Sequence, residues 1–304
     1  SILSGLFIFA NFILVLVIIL GKTAKGATSW FNLGGISFQP SDLVKIVLIL
    51  IMAKYLSRRH VEIADMKHLL ITGIYCFIPF VLVFLQPDFG SAIIFGCIWF
   101  GMMMVSGLSK KHLLLLTGTG LVIGGLLWGF VFKPYQKARI MNFLNPLADI
   151  RGTGYNAYQS MIAVGSGQVI GKGVGFGTQS RLNFLPEYQT DFIFAAFAEE
   201  WGFIGSILVL ICYSIIFWRI IKLAMGGTTN FETLVALGIG IYFASHIIIN
   251  IGMNIGLLPV TGITLPFMSY GGSHLIAECL ALGILFSISR NRRGIHREDT
   301  THEF

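Results

Sequence analysis

Fourteen carboxylates serve a chain of 304 residues, and their placement is uneven. Asp42, Asp88 and Asp191 stand at the ends of apolar runs or in short connections between them, while Asp149 and Glu187 fall in the one long polar stretch. Lys45, Lys172 and Arg181 accompany them. A single such group beside a membrane is an ordinary solvated residue. Several of both signs on one side make a polar site that can take a proton from a hydroxyl and neutralise an anionic group. Asp42 and Lys45 are three residues apart, so on a helix they share a face and can form a structural ion pair. Glu199 and Glu200 follow Asp191 by eight and nine residues. On a continuous helix that puts them roughly 12–14 Å deeper, where a carboxylate faces a bundle interior or wet cavity and is functional, neutral or internally paired.

The remaining polar signals are weaker. Glu278, His246 and His274 lie in the last two apolar runs, and the histidines read as satisfied structural groups. Gln86-Pro87-Asp88-Phe89-Gly90-Ser91 makes a tight turn, and Gln39-Pro40-Ser41-Asp42 reads as a helix start with Ser41 as N-cap and Asp42 near the positive helix end. Cys76, Cys97, Cys212 and Cys279 all fall inside apolar runs without the close pairing of a metal site or disulfide framework, so they read as small buried hydrophobes. No metal centre is expected from these residues.

Positioning such groups requires membrane spans. Hydrophobic residues make up 55% of the chain and charged residues 12%, about half the usual charged share, which excludes a water-soluble globular protein. Continuous apolar runs near 20 residues long, rather than period-2 alternation, select helices over a barrel. Eight spans are expected: about 2 to 20, 42 to 56, 68 to 85, 90 to 106, 112 to 132, 190 to 218, 231 to 253 and 270 to 289. The first has neither a basic start nor a small-residue cleavage site, so it reads as a span rather than a removed signal peptide. The chain is thus an all-α polytopic membrane protein, a single integral membrane domain over 1–304. The stretch 133–189 forms a long structured extracytoplasmic loop of short interfacial helices and turns, and 290–304 a basic cytoplasmic tail.

Sidedness follows from Lys and Arg. Lys54, Arg58, Arg59, Lys67, Lys110, Lys111, Arg219, Lys222, Arg290, Arg292, Arg293 and Arg297 fall on one side, whereas the short connections of the other side hold only Lys22 and Lys25. The positive-inside rule then places both termini in the cytoplasm. The six basic residues of 133–189 weigh little, because long translocated loops are largely exempt. The net charge of +7 orients the chain and does not point to nucleic acid.

Two motifs carry a family resemblance. Phe184-Leu185-Pro186-Glu187-Tyr188-Gln189-Thr190-Asp191-Phe192-Ile193-Phe194-Ala195, continuing through Glu199-Glu200-Trp201-Gly202-Phe203-Ile204-Gly205, closely resembles the SEDS family of shape, elongation, division and sporulation proteins. So does Leu258-Pro259-Val260-Thr261-Gly262 with Leu265-Pro266-Phe267-Met268-Ser269-Tyr270-Gly271-Gly272-Ser273. The Gln39 and Gln86 motifs, Gly26-Ala27-Thr28-Ser29-Trp30 and Gly165-Ser166-Gly167 through Gly171-Lys172-Gly173 fit in the same order, from about residue 21 to 289. Tyr135-Gln136-Lys137-Ala138-Arg139-Ile140, Gly154-Tyr155-Asn156 and Leu257 through Gly262 look more like the elongation branch (RodA) than the division branch (FtsW).

That resemblance implies a peptidoglycan glycosyltransferase that polymerises lipid II at the outer face of the bacterial cytoplasmic membrane during elongation. It would work beside a class B penicillin-binding protein and the cell-elongation machinery. Asp191 matches the residue the family treats as catalytic, so it is expected to accept or orient the attacking hydroxyl's proton. Lys45 and Lys172, with Arg181 behind them, are expected at the departing pyrophosphate. Trp30, Asp42, Asp88 and Glu187 are expected to support the substrate site. No cofactor is implied with certainty, a divalent cation being the open alternative. Two rival readings are a lipid II flippase, with Glu199 and Glu200 lining a path, and a scaffold that only activates a penicillin-binding protein. The sequence departs from the family in showing eight spans where about ten are usual, as if the first two were absent. Ser29 replaces a common basic residue before the tryptophan, which unsettles a phosphate role there, and Asp42 replaces a common Glu.

Overall fold

The computed structural model describes residues 2–24, 27–33, 36–58, 66–132, 134–145 and 154–301. Where an apolar run is long, the backbone closes its hydrogen bonds within itself, and the runs expected to span are helices. These are α1 (Ile2–Leu20), α2 (Pro40–Ser57), α3 (Met66–Leu85), α4 (Phe89–Val105) and α5 (Lys110–Leu126), the last continuing through a π-helical turn at Leu127–Val131. After α6 (Pro134–Leu144), α7 (Tyr155–Ser166) and α8 (Thr178–Arg181) come α9 (Ile193–Met225), α10 (Asn230–Asn254) and α11 (Gly272–Thr301). Six of the eight expected spans are long and apolar enough to cross a membrane. The other two are α4, shorter at 17 residues, and α2, whose 18 residues include Asp42, Lys45 and Lys54.

The chain divides into two compact units. The first comprises Ser1–Leu108, Ile215–Ser245 and Gly271–Phe304. Its centre is α2, with twelve residues buried, among them Leu48, Ile49, Met52 and Leu56, against α1, α3, α4 and α11. Small residues let other helices approach closely: a methyl group at Gly238 of α10 would meet Ile49 at 2.5 Å, and one at Gly101 of α4 would meet Ile241 at 2.6 Å. The connection around Lys22, expected as a plain loop, is instead a three-stranded antiparallel sheet of β1 (Lys22–Ala24), β2 (Ala27–Leu33) and β3 (Ile36–Phe38). Phe31 stands opposite Phe38, and such aromatic and β-branched residues suit a pleated surface.

The second unit comprises Ser109–Ser214 and His246–Tyr270. It contains α6, α7 and α8 of the long polar stretch, whose Asp149 lies outside the described residues. Helix α9 is not one straight rod. Gly202 sits at φ 67°, ψ −162°, which breaks the helical ladder. The freed groups find partners in 168–173: Lys172 N donates to Glu199 O, Gly173 N to Glu200 O, Phe203 N to Gln168 O and Ile204 N to Val169 O. A β-carbon at 202 would lie 2.3 Å from Gly171 N, so glycine is required for this crossing.

Candidate functional site

In the first unit the start of α2 carries a buried charge cluster. Lys45 Nζ lies 2.9 Å from Asp42 Oδ1, one turn away, with Lys45 only 1% exposed. His274 on α11 brings Nδ1 to 3.9 Å from Asp42 Oδ1 and Nε2 to 3.0 Å from Glu278 Oε1. The Tyr242 ring from α10 lies 6.4 Å from the imidazole, centroid to centroid. The N-cap of α2 is Gln39, not Ser41 as expected, since Pro40 takes the first helical position where a missing N–H costs nothing. The Gln39 amide donates to Asp88 Oδ2 at 2.8 Å, and Asp88 Oδ1 accepts the Ser91 N–H as N-cap of α4. Ser273 ties α11 to the sheet, its Oγ donating to Ser37 O and accepting from Gln39 N. Trp30 is half-buried on β2. Asp42, Lys45 and Asp88 therefore share one unit with His274 and Glu278, two residues that received no catalytic or binding role from the sequence.

In the second unit Asp191 sits in the turn just before α9, half-buried, so the continuous helix assumed from Asp191 to Glu199 starts only at Ile193. Two wholly buried asparagines on α10 hold its backbone. Asn250 Nδ2 donates to Asp191 O at 2.9 Å and to Ile263 O at 2.6 Å. Asn254 Nδ2 donates to Asp191 O at 3.1 Å, while its Oδ1 accepts the Ala195 N–H at 3.1 Å. The segment after α10 straps the same turn from another direction: Ser269 Oγ donates to Thr190 O and the Tyr270 N–H to Gln189 O. Gly262, at φ +76°, passes so close that a methyl there would lie 3.4 Å from Asp191 Oδ2. Phe192 anchors the turn in a core with Ala163, Leu185 and Ala195. Glu187 is exposed, accepts the Thr190 hydroxyl at 2.9 Å and adopts φ 58°, a left-handed value uncommon outside glycine. Backbone fixation thus comes from buried amides, and the Asp191 carboxylate is not the group they hold.

Glu199 is 0% exposed and saturated with donors. Its Oε1 accepts Lys172 Nζ at 2.7 Å, Thr178 N at 2.9 Å, Thr178 Oγ1 at 3.0 Å and Gln179 N at 3.1 Å. It is an internally paired anchor that pins 172–179 to α9. Glu200 beside it is half-buried, and Arg181 at the end of α8 is exposed.

Sequence reasoning overlooked Asn250 and Asn254. The available signal was two carboxamides four residues apart in an apolar run, which puts both on one helix face. Asn254→Leu is expected to lower stability by about 1–3 kcal/mol, because the Ala195 N–H loses its acceptor inside a dry site. Thermal unfolding in detergent checks this, and an unchanged midpoint would mean that Ala195 needs no such acceptor.

Comparisons with known proteins bear on the whole chain. The FtsW/RodA/SpoVE family model, described as "Cell cycle protein", matches residues 1–294. Stage V sporulation protein E of Bacillus subtilis is 40% identical over 293 residues, covering 95% of this chain and 79% of that protein. Peptidoglycan glycosyltransferase MrdB of Escherichia coli K12 is 39% identical over 292 residues, covering 95% and 78%. A solved structure described as "Structural coordination of polymerization and crosslinking by a peptidoglycan synthase complex" contains a chain with TM-score 0.81 and 31% identity, covering 95% of this chain and 81% of that one.

Proposed function

Because this chain belongs to the FtsW/RodA/SpoVE (SEDS) family and is a multi-pass membrane peptidoglycan glycosyltransferase, we propose that it polymerises lipid II at the outer face of the cytoplasmic membrane with Asp191 as general base. The observation that carries the residue assignment is the clamp on the Asp191 backbone. Asn250 and Asn254 fix the carbonyl while the half-buried side chain keeps access to water. A base so held is pre-positioned without having its proton-accepting oxygens consumed by the clamp.

In the reaction a sugar hydroxyl of one substrate attacks the anomeric carbon of another. The new glycosidic C–O bond forms as the bond from that carbon to the lipid pyrophosphate breaks. The electron pair leaves with the pyrophosphate oxygen, and the hydroxyl proton passes to the Asp191 carboxylate and then to water. Asp42, Lys45, His274 and Glu278 form a supporting polar cluster in which Lys45, enclosed and paired, acts by positioning. Lys172, held by Glu199, orders 166–181 in the same way, and Arg181 at its exposed edge meets anionic substrate groups. Asp88 and Glu187 shape their turns, and Trp30 packs on lipid or sugar.

Cytoplasmic termini, an extracytoplasmic site, a class B penicillin-binding partner and a role in elongation complete the reading. The sidedness rests on the Lys and Arg distribution, and the partner rests on the likeness to a chain of a peptidoglycan synthase complex. Elongation rests on the loop motifs, since the sporulation and MrdB relatives are within one point in identity. The test is purified chain with its crosslinking partner in liposomes, supplied with lipid II. Glycan strands resolved on a gel are the expected result, and translocation of lipid II without polymer would overturn the reading.

A further inference from the structure

The segment from α7 to Leu185 runs down along α9 and comes back. On the way down, Ala163 of α7 shares a core with Phe192 and Ala195. Gly167 then passes so close to the Ala198 carbonyl that a β-carbon would collide with it, and Gln168 O and Val169 O accept Phe203 N and Ile204 N. On the way back, Lys172 N donates to Glu199 O, Gly173 N to Glu200 O, and the Thr178 and Gln179 amides to the Glu199 carboxylate. Leu185 rejoins the core at Phe192. Gly171, at φ +88°, lets the backbone turn against Glu200 O, where a side chain would clash. The base of this hairpin is therefore level with the Asp191 turn, and its tip is level with residues 199–204 of α9.

That level lies inside the membrane. The uncharged run of α9 from Trp201 to Trp218 is about 27 Å long at about 1.5 Å per residue, close to the roughly 30 Å of a hydrocarbon core. Glu200 and Arg219 bound the run, so Phe203 and Ile204 fall within its first turn and the tip falls with them. The side chains agree. Val169 is 60% exposed and Ile170 79%, with Val174 and Phe176 exposed beside them. Gln168 is the only exposed polar side chain from 168 to 177, and Lys172 turns onto Glu199 and Thr178. The apolar surface continues onto α9 through Trp201, Phe203 and Ile204, and along the span through Leu208 and Ile211.

We propose that 168–176 is a re-entrant lip whose apolar side chains lie among the acyl chains of the leaflet on the Asp191 side, not in the aqueous loop expected of 133–189. Non-helical backbone is tolerated at such depth where protein completes its hydrogen bonds, and α9, broken at Gly202, does so for the deepest carbonyls of the lip. A loop resting on the surface would leave Val169, Ile170, Val174 and Phe176 in water. A protein partner would have to reach below the headgroups to cover them. Hydrocarbon is the occupant that matches both the depth and the unbroken apolar surface shared with the span.

Spin labels read this depth in the full chain, reconstituted into phosphatidylethanolamine–phosphatidylglycerol liposomes. Cys97, Cys212 and Cys279 are replaced by alanine, and the buried Cys76 is kept. Labels at Ile170→Cys and Phe176→Cys are compared with Leu208→Cys on the span and Arg181→Cys at the exposed end of α8. All four positions are exposed, so the label needs no room in the core. Collision with water-soluble nickel(II) ethylenediamine diacetate is expected to be at least fivefold lower at 170 and 176 than at 181. Collision with oxygen is expected within twofold of that at 208. Nickel collision within twofold of the value at 181, at either lip site, would put the lip in water and overturn the proposal. Low collision with both reagents would overturn it as well, since the lip would then be covered by protein, whether a partner or a second copy. No substrate enters the measurement, so its result is independent of the polymerase reading.

Discussion

Asp191→Asn is expected to reduce lipid II polymerisation by about 10²- to 10⁴-fold while leaving the protein folded, the range associated with loss of a positioned proton acceptor. The substitution is nearly isosteric, and the clamp does not depend on the side chain being changed: Asn250 and Asn254 donate to the Asp191 carbonyl, Ser269 to the Thr190 carbonyl and Tyr270 to that of Gln189. The turn should therefore keep its place and lose only its base. Asp191→Glu separates position from chemistry, since it keeps the carboxylate and moves it one methylene in a turn that Gly262 crosses at close range. It should retain more activity than Asn and less than the parent. Initial rates of glycan synthesis at saturating lipid II, with unfolding midpoints measured on the same preparations, decide the matter. Asp191→Asn working within tenfold of the parent would remove Asp191 from the proton path, and a flippase or scaffold that made no use of a base at this turn would give that result.

The legible parts of this molecule are those whose cause is local. Each apolar run near span length became a helix because a backbone in hydrocarbon has no other partners, and even the charged α2 was recoverable from its flanking punctuation. The Asp42–Lys45 pair followed from a three-residue spacing. What stayed hidden depends on distant partners. The break in α9 at Gly202 is stable only because 168–173 completes its hydrogen bonds, and nothing in Glu199-Glu200-Trp201-Gly202-Phe203 announces that partner. Glu199 was legible as a costly carboxylate at depth, but the five donor groups within reach of its Oε1 come from residues 20 to 33 positions away. The sheet at Lys22–Phe38 escaped because its strands are of three and seven residues, too short for periodicity to register. Asp191 was found through family motifs, whereas the asparagines that position it belong to an apolar run that reads as ordinary span.

Lys45→Met offers the second large effect and tests why a membrane helix keeps a charge it cannot expose. Removing one member of a buried ion pair strands the other, so Asp42 loses its partner at 2.9 Å and keeps His274 at 3.9 Å, in a cluster that also contains Glu278. The expected loss is about 3–5 kcal/mol of stability, a large part of the margin of a typical fold. Replacing both members with apolar groups of similar volume removes the stranded charge along with the attraction. Lys45→Met/Asp42→Leu should therefore recover most of the loss, because pairing in a low-dielectric interior barely offsets the desolvation of two ions. If stability were the only reason for the pair, the double variant would also polymerise lipid II. Charged side chains within spans are rare enough to be functional by default, and this cluster gathers Asp42, Lys45, His274 and Glu278 from two helices. The double variant is accordingly expected to unfold near the parent midpoint in detergent and still lose at least 100-fold in polymerisation. Full activity in that stable protein would reduce the cluster to a packing device and confine the chemistry to the unit that holds Asp191.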